Sequence, residues 1–312
     1  MRRTIVIRAA FVLLSCALLL GAVKWIPAKE APPPAALPEV YVYDGYAVST
    51  EAGLDQKSLD YAARKFRQLY DSNISASAGR IYLSVIPDKG SFTVPPEGYA
   101  PAAADETAQA LLAQLDFVQY VDIAPLLELE DYYRTDPHWR QECLADVAQT
   151  LLQAMGGQLT EDFQENTVNT PFFGSYAAKT DEPLTADTLR YLTDAVLDAC
   201  TVYDYETEAQ EPLYDLAAVD TDTPYDLYLQ GSKSLLRVDS PLSASEETLV
   251  VFRDSFGSSL IPLLAQHYRT IYAVDIRYLS SQLLGRFLTL DGGEDVLFLY
   301  STMVLNNSRT MK

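Results

Sequence analysis

The 312-residue chain sets 43 acidic against 23 basic side chains, a formal charge of −20, while 48% of its residues are hydrophobic. That apolar fraction supports a folded core rather than disorder, and so acidic a body with no basic stripe repels nucleic-acid phosphates. Two histidines, no paired cysteine motif and no Gly-rich phosphate loop leave nothing to hold zinc or a nucleotide, so neither a metal nor a cofactor is expected. From the N-terminus, Ala9 to Val23 is apolar or small throughout, between Arg8 and Lys24. Ile5 to Ile26 is long enough to span a bilayer, which needs roughly 17–25 apolar residues, if Arg8 snorkels. Arg2, Arg3 and Arg8 then keep the leading end cytoplasmic. A cleaved signal peptide is the competing reading, but Lys24, Trp25 and Pro27 stand where a small-x-small cleavage site belongs. Residues 1–26 are therefore expected to be a cytoplasmic tip and transmembrane anchor, and 27–39 a stiff Pro-rich linker. The remainder, carrying about −24 once the four leading cations are set aside, is expected to be an extracytoplasmic body on a single-pass membrane protein.

Within that body, residues 40–312, short apolar runs predict buried strands at Ile81–Ile86, Phe117–Ile123, Thr248–Phe252, Thr270–Val274 and Val296–Tyr300. Apolar residues at helical spacing predict helices over Leu59–Tyr70, Asp105–Leu115, Arg140–Met155, Ser258–Tyr268 and Leu279–Phe287. Strands alternating with helices of this length imply an α/β fold with a mostly parallel sheet covered on both faces. Residues 156–245, rich in Tyr, Thr and Asp, break the rhythm and read as an inserted region of short strands and loops. Within it Gly174-Ser175-Tyr176 reads as a turn that approaches the site. Cys16 falls in the apolar leader; Cys143 and Cys200 either pair or remain two buried thiols, and spacing does not choose between these.

Two motifs carry chemistry. Thr135-Asp136-Pro137-His138-Trp139 puts one of the two histidines two residues from a carboxylate. Asp136 before Pro137 also reads as a helix start, with Asp136 as N-cap of the Arg140–Met155 helix. Such a carboxylate can equally orient an imidazole and stabilise its cation. Ser255 follows the strand Thr248–Phe252, with a helix beginning after Gly257. That junction presents a hydroxyl at the carboxyl end of a parallel strand, where α/β sheets bind ligands. The amides that follow would face a developing oxyanion. A plain capping role for Ser255 or Ser258 is the alternative. His267, followed by Tyr268 and Arg269, reads as a surface histidine at a helix C-terminus.

Taken together, Thr135-Asp136-x-His138-Trp139, Asp254-Ser255-Phe256-Gly257-Ser258 and Val274-Asp275-Ile276-Arg277-Tyr278 resemble the DHHW family, relatives of the alginate O-acetyltransferases in the SGNH-hydrolase-like superfamily. Val85-Ile86-Pro87-Asp88-Lys89 and Phe173-Gly174-Ser175-Tyr176 extend the likeness over roughly residues 40 to 305. The resemblance implies a three-layer, flavodoxin-like SGNH fold, with Ser255 as nucleophile, His138 as base and Asp136 as its orienting acid. It further implies action on cell-surface or exported polysaccharide, with an MBOAT-type membrane acyltransferase supplying the acyl group. Pro137 stands where the family name has a histidine; proline keeps Asp136 extended and removes no needed donor.

The expected function is a serine-dependent O-acyltransferase or esterase of surface glycans. The Ser255 amide and that of Gly174 are the expected oxyanion donors. Ser175, Tyr176 and Gly257 are assigned to the same oxyanion and substrate-binding shell, and Arg277 and the tyrosines of the inserted region to sugar contacts. The competing class is a non-catalytic glycan-binding or scaffolding partner of a membrane acyltransferase. An imidazole within hydrogen-bond reach of both Ser255 and Asp136 separates the two. A plain deacetylase would share every residue and differ only in its acceptor.

Overall fold

The computed structural model describes residues 38–50, 53–75, 79–290 and 292–312. The expected anchor, and the linker up to residue 37, lie outside the described residues. Among the described residues no helix is long and apolar enough to cross a membrane.

Eight strands form the central sheet. Five are parallel: β3 (Ile81–Ile86), β4 (Gln119–Tyr120), β10 (Thr248–Arg253), β11 (Thr270–Val274) and β12 (Asp295–Ser301). Three more, β7 (Thr201–Asp204), β8 (Ala209–Glu211) and β9 (Leu235–Asp239), continue it antiparallel, giving the order β4-β3-β12-β10-β11-β9-β7-β8. β3 and β12 are buried at every position, which is why they read as unbroken apolar runs rather than alternating ones. Side chains still divide by a period of two. Tyr82, Ile86, Leu249, Val251, Leu297 and Leu299 pack on one face with the helices α3 (Ala145–Ala154) and α5 (Gly257–Leu264). Leu83, Val85, Val250, Phe252, Val296 and Phe298 pack on the other with α1 (Gln56–Leu69) and α2 (Ala104–Leu112). The result is a three-layer α/β body, in which each fully buried Leu or Phe contributes about 1.5–3 kcal/mol.

α1 shows how sequence makes an element. Asp55 caps it by accepting from the Lys57 and Ser58 amides, and Leu59, Ala62, Phe66 and Leu69 form its buried stripe. Phe66 lies against both Phe298 and Tyr300 of β12. Ahead of it, β1 (Val40–Tyr43) and β2 (Tyr46–Ser49) form a hairpin turned at Asp44-Gly45, where φ is +46° and +79°. Two successive left-handed residues are what a tight two-residue hairpin turn needs.

Several expectations are corrected. Asp136 does not cap a helix: residues 134–138 form bends, a 3-10 turn covers Gln141–Cys143, and α3 starts only at Ala145. The Phe117–Ile123 run contributes two residues of edge strand. Over Leu279–Phe287 there is only a 3-10 turn, Leu284–Arg286. That segment is held by tertiary bonds, the Ser281 amide donating to the Lys312 carbonyl and the Lys312 amide to that of Ile276. The 156–245 region does hold short strands, but three of them join the main sheet. The others, β5 (Gln164–Phe172) and β6 (Asp187–Thr193), pair as a separate hairpin. A short helix, α4 (Ala195–Asp198), links β6 to β7.

Because β3, β10, β11 and β12 run parallel, their carboxyl ends share one rim. Lys89 follows the first, Ser255 the second and Asp275 the third. The last strand ends at Ser301, with the short helix α6 (Thr302–Leu305) directly behind it.

Candidate active site

Ser255 sits where β10 leaves the sheet and α5 has not yet begun. Asp254 holds that corner: one carboxylate oxygen accepts from the Phe256 amide (3.0 Å), the other from the Ser301 amide and hydroxyl (2.7 and 2.6 Å). Gly257 opens the helix without a side chain because a Cβ there would lie 2.8 Å from Arg253 Cβ. Fully buried Arg253 reaches past it to donate to Ser258 Oγ at 3.1 Å.

The Asp-Pro-His-Trp stretch is a tight loop closed by a bridge between Tyr132 and Trp139 and by the Tyr133 amide donating to the His138 carbonyl. Tyr132 Oη anchors it to the Pro87 carbonyl at the end of β3. Trp139 anchors it to the Ser255 corner, its indole N–H lying 3.0 Å from the Phe256 carbonyl and 2.9 Å from Ser259 Oγ. Asp187, at the start of β6, receives the Arg134 and Thr135 amides and the Thr135 hydroxyl at 2.6–2.8 Å.

These anchors bring Asp136 and His138 into line with Ser255, 117 residues away. His138 Nε2 lies 2.8 Å from Ser255 Oγ, and His138 Nδ1 lies 2.5 Å from Asp136 Oδ1. Burial works to raise the Asp136 carboxyl. The His138 charge and ring hydrogen bond, with the Ser175 and His138 amides, outweigh it and hold the carboxyl below its ordinary value. Lys89 stands behind this group, 2% exposed, donating to the Tyr133 carbonyl at 2.8 Å. Burial pushes its ammonium down to about 7, although Asp136, Asp187 and Asp88 pull the other way. The triad opens onto a cavity of about 430 Å³ whose wall includes Phe173, Ser175, Tyr225, Gly231 and Ser232.

The remaining expected residues divide. Gly174 and Ser175 are at the site but serve the acid. The Gly174 amide donates to Thr135 Oγ1 and that of Ser175 to Asp136 Oδ2, both at 2.9 Å, so the expected Gly174 oxyanion donor is already spent. A Cβ on Gly174 would fall 2.2 Å from Asp136 Cβ, so only glycine allows the turn this close. The amides of Phe256, Gly257 and Ser258 are likewise engaged within the corner, whereas that of Ser255 has no acceptor among the described residues. Tyr176 is buried behind the site, its ring between the ammonium groups of Lys89 and Lys179. Arg277 is elsewhere on the rim, pinned to buried Asp275 by contacts of 2.6–3.2 Å in a separate cavity with Tyr278 and Met303.

Tyr225 and Tyr228 are buried rather than displayed for sugar, and Tyr225 lies flat on the His138 ring. His267 is half-buried beyond α5, beside Glu247. Cys143 and Cys200 are free thiols. Among the described residues no group of side chains is arranged to hold a metal ion. Asp187 and Tyr225 carried no local sequence signal, and Lys89 lay inside a quoted motif without an assigned role.

No protein-family model and no curated protein matches the chain. Solved structures do. A DHHW family protein from Eubacterium siraeum superposes with a TM-score of 0.66 at 20% identity, over 87% of this chain and 92% of that one. PatB1 of Bacillus cereus gives 0.66 at 19%, over 86% and 97%, and has also been solved with a sulfonyl adduct. The O-acetyltransferase domain of Pseudomonas putida AlgJ gives 0.52 at 16%, over 86% and 93%. At these identities the likeness is one of fold, and it falls on the same group that the two motifs resemble.

Proposed function

We propose that this protein is a serine-dependent O-acyltransferase or esterase acting on polysaccharide outside the cytoplasm. The observation that carries the reading is the unbroken line Asp136–His138–Ser255, with hydrogen-bond separations of 2.5 and 2.8 Å at the wall of a cavity. A glycan-binding scaffold has no need of that alignment. The fold likeness to an O-acetyltransferase domain and to a protein that carries a sulfonyl adduct supports the same chemistry.

The steps follow from the geometry. Asp136 holds the His138 proton on Nδ1, leaving Nε2 free to accept the Ser255 proton. Ser255 Oγ then attacks the acyl carbonyl, and the Ser255 amide donates to the oxygen as it gains charge. His138 returns the proton to the departing group, leaving an acyl-serine. In the second half His138 removes a proton from the incoming hydroxyl, that of a sugar in transfer or of water in hydrolysis, as its oxygen bonds to the acyl carbon; the Ser255 Oγ–acyl bond then breaks and His138 returns the proton to Ser255 Oγ. Membrane anchoring through residues 1–26, and acyl supply from an MBOAT-type partner, complete the proposal.

Phenylmethylsulfonyl fluoride tests the nucleophile and 4-nitrophenyl acetate the turnover. Wild type should take up one sulfonyl group, mapped to Ser255 by peptide mass spectrometry, and should release nitrophenol. Ser255→Ala should do neither. A Ser255→Ala protein that is still modified and still turns over would remove the assignment.

A further inference from the structure

The Asp136–His138–Ser255 line accounts for both ring nitrogens of His138 but not for the ring faces. One face is covered. The Tyr225 ring lies parallel to the imidazole, with centroids 3.8 Å apart and planes 9° from each other. Phe256 meets His138 at a tilt, with a centroid separation of 4.7 Å and an angle of 53°.

Tyr225 comes from the 3-10 turn Pro224–Leu227, far in sequence from both motifs, and is held by its hydroxyl and by neighbouring rings. Its hydroxyl is 3.0 Å from Ser259 Oγ, the same atom that receives the Trp139 indole N–H. Ser259 Oγ in turn lies 3.3 Å from the carbonyl of Phe256, the residue after the nucleophile. One serine hydroxyl thus ties together the neighbour of the base, the neighbour of the nucleophile and the stacked ring. Tyr228 packs against Tyr225 at 5.0 Å and Tyr133 meets it edge-on at 6.4 Å, backing the ring on the side away from the cavity.

Resting on the triad reading above, we propose that Tyr225 is a positioning residue of this site. Its ring holds the imidazole in the plane that contains both Asp136 and Ser255, and its π face stabilises the imidazolium formed during acyl transfer. In that step the Ser255 Oγ–H bond breaks and an Nε2–H bond forms, and the positive charge spreads over the ring beneath Tyr225. No bond is made to the tyrosine. A buried cation on an aromatic face is stabilised more than a hydrated one, and the neutral ring gains much less. The contact therefore favours the charged state met along the reaction over the resting state.

Two measurements decide the matter. With only two histidines in the chain, the His138 ring protons are readily assigned by NMR, and a ring stacked this closely moves them upfield. They should stay upfield in Tyr225→Phe and return to ordinary positions in Tyr225→Leu. Ordinary positions in the wild type would overturn the proposal without any variant. For function, phenylalanine at 225 is replaced by its mono-, di- and trifluoro analogues, which keep the packing while draining the π face. The kcat for 4-nitrophenyl acetate should fall stepwise, by roughly tenfold across the series, with KM unchanged. Tyr225→Phe, which keeps the ring and gives up the hydroxyl bond to Ser259, is the reference against which the fluorinated series is read. A flat fluorine series would overturn the proposal while leaving Ser255 in place. Activity surviving in Ser255→Ala would instead overturn the triad reading.

Discussion

Asp136→Asn isolates what the carboxylate does beyond filling space. All three partners of Asp136 are donors: the His138 ring N–H at 2.5 Å and backbone N–H at 3.2 Å on Oδ1, and the Ser175 N–H at 2.9 Å on Oδ2. An amide has one acceptor and one donor end, so it cannot satisfy this set. With its NH₂ toward Ser175, two buried donors face each other, at a cost of about 1–3 kcal/mol. With its NH₂ toward His138, the Ser175 bond survives, the imidazole accommodates by moving its proton to Nε2, and only the His138 backbone N–H, the longest of the three contacts at 3.2 Å, loses its acceptor. The second arrangement gives up the weakest contact, but it leaves Nε2 unable to take the Ser255 proton. We therefore expect Asp136→Asn to unfold within about 2 kcal/mol of wild type while kcat falls by about 10⁴. That loss corresponds to roughly 5.5 kcal/mol of transition-state stabilisation. The assay pairs 4-nitrophenyl acetate turnover with urea denaturation on the same preparation. An Asn variant retaining a tenth of wild-type kcat, or one whose activity falls only as far as its folded fraction, would refute the reasoning.

Trp139→Phe removes the indole bonds to Phe256 and Ser259 from a fully buried position. It should destabilise by about 2–4 kcal/mol, seen as a lower urea midpoint at unchanged slope. Burial pushes the Cys143 thiol up to about 12 and that of Cys200 to about 11, so neither should react with iodoacetamide in the native protein near pH ~8. Both should react once urea unfolds the chain, and dithiothreitol should leave the melting temperature where it is; rapid native labelling mapped to Cys200 would contradict its burial. Lys89 makes the pH prediction. Buried Lys89 loses its proton near 7 and the unfolded chain loses it near 10.5, so between these values the unfolded state binds more protons. Wild type should thus gain stability relative to Lys89→Met as pH rises through that window, by a few kcal/mol in order of magnitude. Parallel stability curves for the two proteins would rule it out.

What the sequence makes legible here is whatever has a local signature. Ile81–Ile86 is a strand at the bounds read from the sequence because it is covered on both faces, and Thr270–Val274 keeps its bounds too, although Thr270 and Tyr272 are only partly buried. Ser255 and His138 could be picked out because the chain has so few histidines and one strand-turn-helix serine of this kind. Residues that matter through distant packing left no such trace. Asp187 cradles Thr135 from 52 residues away, and Tyr225 reaches His138 from another loop altogether. Asp136-Pro137 was misleading for a physical reason: the carboxylate that would cap a helix is already taken by the imidazole and the Ser175 amide. Leu279–Phe287 has helical spacing, but its Ser281 amide is drawn to the Lys312 carbonyl instead.

The strand order also bears on how the body comes to exist. β12 lies between β3 and β10, yet it is made after every other strand in the sheet. Until Asp295–Ser301 emerges from the ribosome, the first and second portions of the sheet cannot be joined. Both would present bare hydrogen-bonding edges of the kind that recruit other chains. Ser301 then supplies the two donors that set Asp254, so the Ser255 corner acquires its final shape only when this late strand is inserted. A nascent or clipped chain ending before Asp295 would possess Ser255, His138 and Asp136 and still have neither a closed middle nor a set corner. Assembly of the sheet and setting of the Ser255 corner are thereby made a single late event.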